Sequence, residues 1–202
     1  MGGSESGNGL VDVLFGDLNP SGHLTCVWGT KEQYPVADFN ILGNYTKYDY
    51  EEGVFIGQRW FDKQGTNPIW PFGYGLSYTT FAFSGLTADY VEKGEKLNIT
   101  FKVTNNGEYD GDVVPMIFLK FPTSIESDCD GGEYPAKLFK GFTKVFLEKG
   151  ATKLVSITVD KHSLSYYSVS KEDFKKATGT FTVYLGKNAK DPEETSGTVT
   201  VR

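Results

Sequence analysis

The second half of the chain alternates apolar and polar residues in the way that is typical of β-strands. The alternating runs are separated by turn signals such as Asn106-Gly107, a pair that suits the positive φ of a tight hairpin. The pattern predicts strands at residues 81–90, 97–105, 113–121, 138–147, 153–159, 163–169, 179–185 and 195–201. Short strands at this regular spacing, with almost no helix between them, predict a mainly β fold, a two-sheet β-sandwich.

The first half of the chain is much less regular. Leu10, Val13 and Leu14 fall at helical spacing within residues 5–16, which predicts one short amphipathic helix ended by Gly16. A short strand is predicted at 24–28 and a helix or strand-helix piece within 54–61. These elements cannot cover their own apolar faces. We therefore expect this half to be part of a larger unit that packs on the sandwich, on a second copy or on a missing domain.

Composition and charge narrow the functional classes. The chain has 202 residues and a formal net charge of −6, and it contains no run of lysine or arginine. Nucleic-acid binding and attachment to an anionic membrane are therefore not expected, since both need a concentrated basic patch. No apolar run approaches the roughly 20 residues that span a bilayer. The first residues also lack the charged and apolar regions of a signal peptide.

The sequence offers two candidate types of covalent modification, a disulfide and N-glycosylation. Cys26 and Cys129 are far apart in the sequence, so a disulfide and two free thiols are equally compatible with it. Asn44 and Asn98 each begin an N-glycosylation sequon, which is meaningful only in a secreted protein.

Two acidic clusters are candidates for sugar or metal chemistry: Asp49, Glu51 and Glu52, and Asp128, Asp130 and Glu133. The first lies among tyrosines and could act at a sugar site, but a solvated turn before an apolar segment is favoured. The second could hold calcium through oxygen ligands, but its spacing lacks the longer loop of an EF-hand, and a flexible surface loop is favoured. We predict no metal and no cofactor.

Several stretches, in order along nearly the whole chain, resemble one family. They are residues 5–22, 50–62 with the motif Gly57-Gln58-Arg59-Trp60-Phe61-Asp62, 71–81, 103–107, 141–147 and 179–186. All resemble the C-terminal region of family-three glycoside hydrolases, the β-glucosidases and β-xylosidases. The resemblance implies that residues 1–78 are a remnant of the α/β sandwich domain with an aromatic-rich connector. It also implies that residues 79–202 are a fibronectin type III-like β-sandwich.

The resemblance implies a role without catalysis. In this family the nucleophilic aspartate lies in an N-terminal barrel and the acid/base glutamate lies upstream of this region, so neither matches a residue here. We expect a non-catalytic accessory module of a secreted β-glucosidase-like enzyme that breaks down β-glucans, with the missing catalytic domains or a second copy as partner. The alternatives are a stand-alone module that binds polysaccharide, lignin or a surface, and a truncated hydrolase with residual activity.

Aromatic residues of the connector are the remaining candidates for a site: Trp60, Trp70, Phe72 and Tyr74. Flat rings could stack on the apolar faces of sugars, or they could join the connector to the sandwich, because aromatic rings bury large areas. The resemblance favours the second role. Arg59 is expected to bind a carboxylate or a backbone carbonyl at the same interface.

Overall fold

A computed structural model describes residues 3–34, 52–191 and 194–202, except for the side chain of Asp130. Its helices are α1 (Ser6–Phe15) and α2 (Gln58–Gln64), with short 3-10 helices at Lys31–Gln33, Thr123–Asp128, Asp130–Gly132 and His162–Leu164. The strands are β1 (Phe81–Val91), β2 (Lys96–Asn105), β3 (Gly111–Val113), β4 (Met116–Lys120), β5 (Leu138–Phe142), β6 (Val145–Leu147), β7 (Thr152–Val159), β8 (Ser165–Ser168), β9 (Asp173–Lys176), β10 (Gly179–Gly186) and β11 (Thr195–Val201).

Two antiparallel sheets form the sandwich and confirm the predicted fold class. One sheet has the strand order β1-β2-β7 and the other β11-β10-β4-β5. The small pairs β3-β6 and β8-β9 extend this framework. Because side chains alternate between faces along a strand, each sheet turns one apolar row toward the other sheet.

The hydrophobic core lies between these two sheets. Every second residue of β2 is buried, and β10 shows the same alternation. The largest fully buried side chains of these two strands are Leu97, Ile99, Phe101, Val103, Phe181 and Leu185. Each such side chain contributes about 1.5–3 kcal/mol when it is removed from water, so this row fixes the register of the sheets.

A proline explains one of the differences between the predicted and the observed strands. The predicted strand 113–121 is divided into β3 and β4, because Pro115 has no N–H to donate to a ladder. The first part pairs with β6, and the second joins β5 and β10. The predicted strand 138–147 is divided correspondingly into β5 and β6. A 3-10 turn replaces the start of the predicted strand 163–169, and β9 was not predicted.

In the first half, helix α1 confirms the predicted helix, whereas the strand predicted at 24–28 is wrong. The segment instead runs beside residues 70–74, and a single bridge pairs Trp28 with Trp70. The bridge is not extended toward Cys26 because Phe72 donates its N–H to the Gln58 side chain and its carbonyl accepts the N–H of Ala189. Helix α2 begins only at Gln58, later than the predicted piece within 54–61.

Both cysteines are free thiols, with Cys26 exposed and Cys129 half-buried. This observation decides between the two alternatives that the sequence leaves open. Within the part of the chain that the structure describes, no helix is both long and apolar enough to span a membrane.

Candidate functional site

Phe72 joins helix α2, the connector and the sandwich. Its N–H donates a hydrogen bond of 3.1 Å to Oε1 of Gln58, and its carbonyl accepts one of 2.9 Å from the N–H of Ala189. Its ring lies edge-on to Phe139 and to Phe118 of the sandwich, at centroid distances of 5.0 and 6.4 Å. Phe72 therefore packs at the junction between the two halves of the chain.

A fully buried asparagine, Asn105, fixes the chain where it enters the sandwich. Its Oδ1 accepts hydrogen bonds from the Thr79 hydroxyl at 2.7 Å and from the N–H of Gly107 at 3.2 Å. Its Nδ2 donates to the carbonyls of Tyr109 at 2.7 Å and Leu147 at 3.2 Å. All of its hydrogen-bonding positions are therefore used, as burial of an amide requires.

A second asparagine, Asn19, clamps the same junction from the side of helix α1. Its Nδ2 donates to the carbonyl of Asp110 at 2.9 Å, and its Oδ1 accepts from the Ser77 hydroxyl at 3.0 Å and the N–H of Tyr78 at 2.9 Å. The hydroxyl of Tyr78 donates in turn to the carbonyl of Val13 in α1. Residues 77–79 are therefore held by the sandwich and by the first half of the chain.

Two glycines permit the close approach at this junction. A methyl group added at Gly107 would lie 2.3 Å from Oγ1 of Thr79. Gly73 has a φ of 84°, in the left-handed region, and an added methyl would lie 2.5 Å from Sδ of Met116. Neither position has room for a side chain.

An extensive set of apolar side chains remains exposed on the first half of the chain. We call it the open apolar surface, and it comprises Leu10, Leu14, Phe15, Leu18, Trp28, Ile69, Trp70 and Leu76. Phe15 is 80% exposed and Leu14 66%, and none of the residues of α1 is buried. Helix α1 therefore presents an amphipathic face that nothing in the described chain covers.

A cleft of about 520 Å³ opens beside α1, at the edge of this surface. It is lined by Leu14, Phe15, Tyr78 and Tyr109 together with two carboxylates, Asp17 and Asp110. Asp110 is engaged structurally, because its Oδ1 accepts the N–H of Lys149 at 2.7 Å.

The four predicted aromatics do not form one platform. Trp60 donates its indole N–H to the carbonyl of Gln33 at 2.9 Å, while Phe72 lies in the junction described above. Trp70 is 41% exposed and contacts Trp28 and Tyr74, with ring centroids 6.1 and 6.5 Å away.

The loop proposed as an alternative calcium site is used to anchor the β8-β9 hairpin. The carboxylate of Asp128 accepts hydrogen bonds from Ser170, Ser168 and Tyr166, which hold its pKa well below the usual range. Glu133 forms an ion pair of 2.5 Å with Lys63 of α2. Among the described residues no group of three or more acidic, histidine or cysteine side chains is arranged to hold a metal ion.

The remaining predicted positions are divided between described and undescribed parts of the chain. Asn44, Asp49 and Glu51 lie outside the described residues, and Glu52 is half-buried. Asn98 is also half-buried, and its Oδ1 accepts a hydrogen bond of 3.1 Å from the Thr158 hydroxyl.

Sequence reasoning missed the two asparagine clamps. Asn105 nevertheless continues the buried alternation of Leu97, Ile99, Phe101 and Val103, and a polar residue at such a position signals a buried hydrogen-bond network. Asn19 lies between the predicted helix that ends at Gly16 and the predicted strand 24–28, where the sequence shows no periodic pattern to single it out.

Comparison with known proteins agrees with this arrangement. Residues 1–78 match the glycosyl hydrolase family 3 C-terminal domain, and residues 113–189 match the fibronectin type III-like domain. The thermostable beta-glucosidase B of Acetivibrio thermocellus is 35% identical over 95% of this chain and 25% of its own length. The probable beta-glucosidase D of Aspergillus niger is 34% identical over 99% of this chain and 28% of its own length.

Solved structures show the same correspondence. A beta-glucosidase from Chaetomella raphigera superimposes with a TM-score of 0.87 at 31% identity, over 99% of this chain and 29% of that one. A beta-glucosidase from Streptomyces venezuelae in complex with D-glucose superimposes with a TM-score of 0.82 at 32% identity, over 96% and 24%. The chain thus spans about a quarter of the length of these relatives. It belongs to glycoside hydrolase family 3, and it corresponds to the C-terminal region of the family's β-glucosidases.

Proposed function

We propose that this chain is a non-catalytic structural module of a β-glucosidase-like enzyme, which docks through its open apolar surface onto the rest of that enzyme. The observation that carries the proposal is the exposure of Leu10, Leu14 and Phe15, at 59%, 66% and 80%, on one short helix. Soluble monomers rarely expose contiguous apolar patches of large size, and a larger patch marks an interface.

The energetics favour a covering partner for α1. Complete burial of a leucine or phenylalanine side chain contributes about 1.5–3 kcal/mol. An isolated helix of ten residues is only marginally stable in water without tertiary packing. Docking would therefore stabilise the helix as well as the assembly.

The state of the carboxyl groups supports a role without catalysis. Retaining glycosidases need two carboxyl groups about 5–5.5 Å apart, and one of them acts as an acid with a raised pKa. The carboxyl groups with a displaced pKa among the described residues are all displaced downward: Glu32, Glu95, Glu108, Asp128 and Asp160. Such carboxylates accept structural hydrogen bonds and favour the ionised form.

Turnover of an aryl β-glucoside by the purified chain tests the absence of catalysis. We expect no release of the aryl group above buffer. Activity that co-purifies with the chain, and that is lost in Asp110→Asn or Glu52→Gln, would overturn the proposal.

Docking is tested with a relative whose matching segment has been removed. A form of beta-glucosidase B from Acetivibrio thermocellus that lacks the matched 25% of its length is mixed with this chain, and association and glucosidase activity are measured. We expect association with the wild-type chain and its loss in Leu14→Asp. Leu154→Asp is the matched control, because Leu154 is 73% exposed on strand β7 and outside the open apolar surface. Equal association of both variants would contradict the proposed surface.

Binding of a polysaccharide is a second candidate function, favoured by exposed rings on the β8-β9 hairpin. Tyr167 and Phe174 are 51% and 61% exposed, and their centroids are 5.8 Å apart. Retention on insoluble cellulose that is lost in the double variant Tyr167→Ser/Phe174→Ser, but kept in Leu14→Asp, would favour this function over docking.

The proposal includes secretion and glycosylation of the whole protein. Glycan at Asn98 is expected in protein recovered from the medium of its native host, measured by mass spectrometry of the tryptic peptide. Unmodified Asn98 in secreted protein would remove glycosylation from the proposal without affecting docking.

A further inference from the structure

A second cleft, of about 610 Å³, lies between helix α2 and strand β5. Apolar residues form much of its wall, with Ile56 and Phe72 on the first half and Phe118 and Phe139 on the sandwich. A largely apolar cleft of this volume, with a few charged groups, has the size and lining of a small-molecule site.

Four charged residues line this cleft, and two of them already form ion pairs with other residues of the chain. Lys137 forms an ion pair of 2.6 Å with Glu194. Asp62 forms an ion pair of 2.9 Å with Lys190 and accepts a hydrogen bond of 3.0 Å from Gln58. These pairs leave little charge to attract a ligand.

The other two charged residues, Arg59 and Lys140, are cations without a carboxylate partner among the described residues. Arg59 donates one hydrogen bond, of 3.0 Å, to the carbonyl of Val54, although a guanidinium has five N–H donors. Nζ of Lys140 lies over the ring of Phe121 at 5.2 Å. This acceptor is a backbone carbonyl, but it belongs to a residue five positions earlier and does not lie across the predicted interface with the sandwich.

Aromatic and charged groups surround Lys140. The ring of Phe121, which Lys140 contacts, lies 5.1 Å from the ring of Tyr134. Burial and the nearby Arg59 charge both lower the pKa of Lys140, while Asp160 opposes them. Asp160 itself accepts the N–H of Ser163.

We infer that this cleft binds a small organic anion, a carboxylate or phosphate carried on a ring-sized body. Arg59 and Lys140 would bind the anionic oxygens, and the apolar wall would contact the ring. A charge-assisted hydrogen bond is about twice as strong as a neutral one, and a guanidinium fork matches two oxygens of one acid group. This inference concerns a ligand site and is independent of the proposed docking surface.

Calorimetric titration of the full chain tests the inference at constant ionic strength. The probes are D-glucuronate, benzoate and inorganic phosphate, with D-glucose as the uncharged control. We expect at least one anion to bind and D-glucose not to bind. Binding of inorganic phosphate alone would support the cationic site but overturn the role of the apolar wall.

Variants locate the site. Lys140→Met and Arg59→Met should each weaken anion binding about tenfold or more, because a hydrogen bond to a charged group contributes about 1.5–3 kcal/mol. Lys102→Met, an exposed lysine on strand β2, is the matched control and should bind as wild type does. No anion binding by the wild-type chain, or unchanged binding in both cleft variants, would overturn the inference.

Discussion

The hydroxyl of Thr79 donates a 2.7 Å hydrogen bond to Oδ1 of Asn105, across the point where the chain enters the sandwich. Asn105 is fully buried and forms hydrogen bonds with four groups, so it couples the segment before β1 to the loop that follows β2 and to the end of β6. Replacement by alanine would leave these groups without partners.

We therefore expect Asn105→Ala to lower the free energy of unfolding by about 3 kcal/mol, since each unsatisfied buried group costs about 1–3 kcal/mol. Urea unfolding followed by tryptophan fluorescence measures this loss. Asn98→Ala is the control, because Asn98 is half-buried and accepts one hydrogen bond. A loss of similar size in both variants would show that the network around Asn105 is not the cause.

Packing at Phe72 should hold the first half of the chain on the sandwich. Because Phe72 contacts both Phe118 and Phe139, Phe72→Ala should destabilise the protein by about 2 kcal/mol and increase proteolytic cleavage within the first half. Phe174→Ala removes a ring that is 61% exposed and should change stability by less than about 0.5 kcal/mol. Unchanged proteolysis in Phe72→Ala would contradict this role.

A methyl group at Gly107 should strain the junction. Because the added carbon would lie 2.3 Å from Oγ1 of Thr79 and 2.5 Å from the backbone nitrogen of Thr80, Gly107→Ala is expected to cost about 1–3 kcal/mol in thermal unfolding. Gly9→Ala, in a helix with open space around the position, should be neutral or stabilising by up to about 1 kcal/mol. A larger loss of stability in Gly9→Ala than in Gly107→Ala would be incompatible with the observed packing.

Ion pairs at Glu95 predict a dependence of stability on pH. Hydrogen bonds from Lys161 and Lys176 lower the pKa of Glu95 to about 2. Because the folded-state pKa lies below the ordinary value of 4.5, the stabilisation is present above about pH 4.5 and is lost as the pH falls toward 2. Wild type should therefore exceed Glu95→Gln in melting temperature at pH 6, with the difference disappearing at acid pH.

Glu92→Gln provides the comparison for this experiment. Glu92 lies 3.6 Å from Arg202 with both side chains mostly exposed, and such pairs contribute little to stability. A difference between wild type and Glu95→Gln that persists undiminished at pH 2 would contradict the assignment.

The sandwich was predictable because burial between two sheets imposes a strict alternation, seen in Leu97, Ile99, Phe101 and Val103. Strand β9 could not be predicted because it has only one apolar residue in the sequence Asp173-Phe174-Lys175-Lys176. Its pairing with β8 is set by the turn between the two strands. The wrong strand at 24–28 has a similar cause. Its partner segment contains Phe72, whose N–H and carbonyl are used by Gln58 and Ala189, residues that are distant in sequence.

The second cleft could not be predicted either, because tertiary packing brings its residues together. Arg59 and Lys140 are far apart in the chain, and neither has a periodic pattern around it that indicates a shared wall. Their proximity follows from how α2 packs beside β5, which depends on tertiary contacts at Phe72.

The short junction of residues 77–79 has a mechanical consequence. Asn19 holds Ser77 and Tyr78, Asn105 holds Thr79, and Tyr78 reaches the backbone of α1. A tether fixed at successive residues has no free torsion to act as a hinge. The sandwich and α1 would therefore move together, and a displacement of the sandwich would also displace whatever α1 contacts.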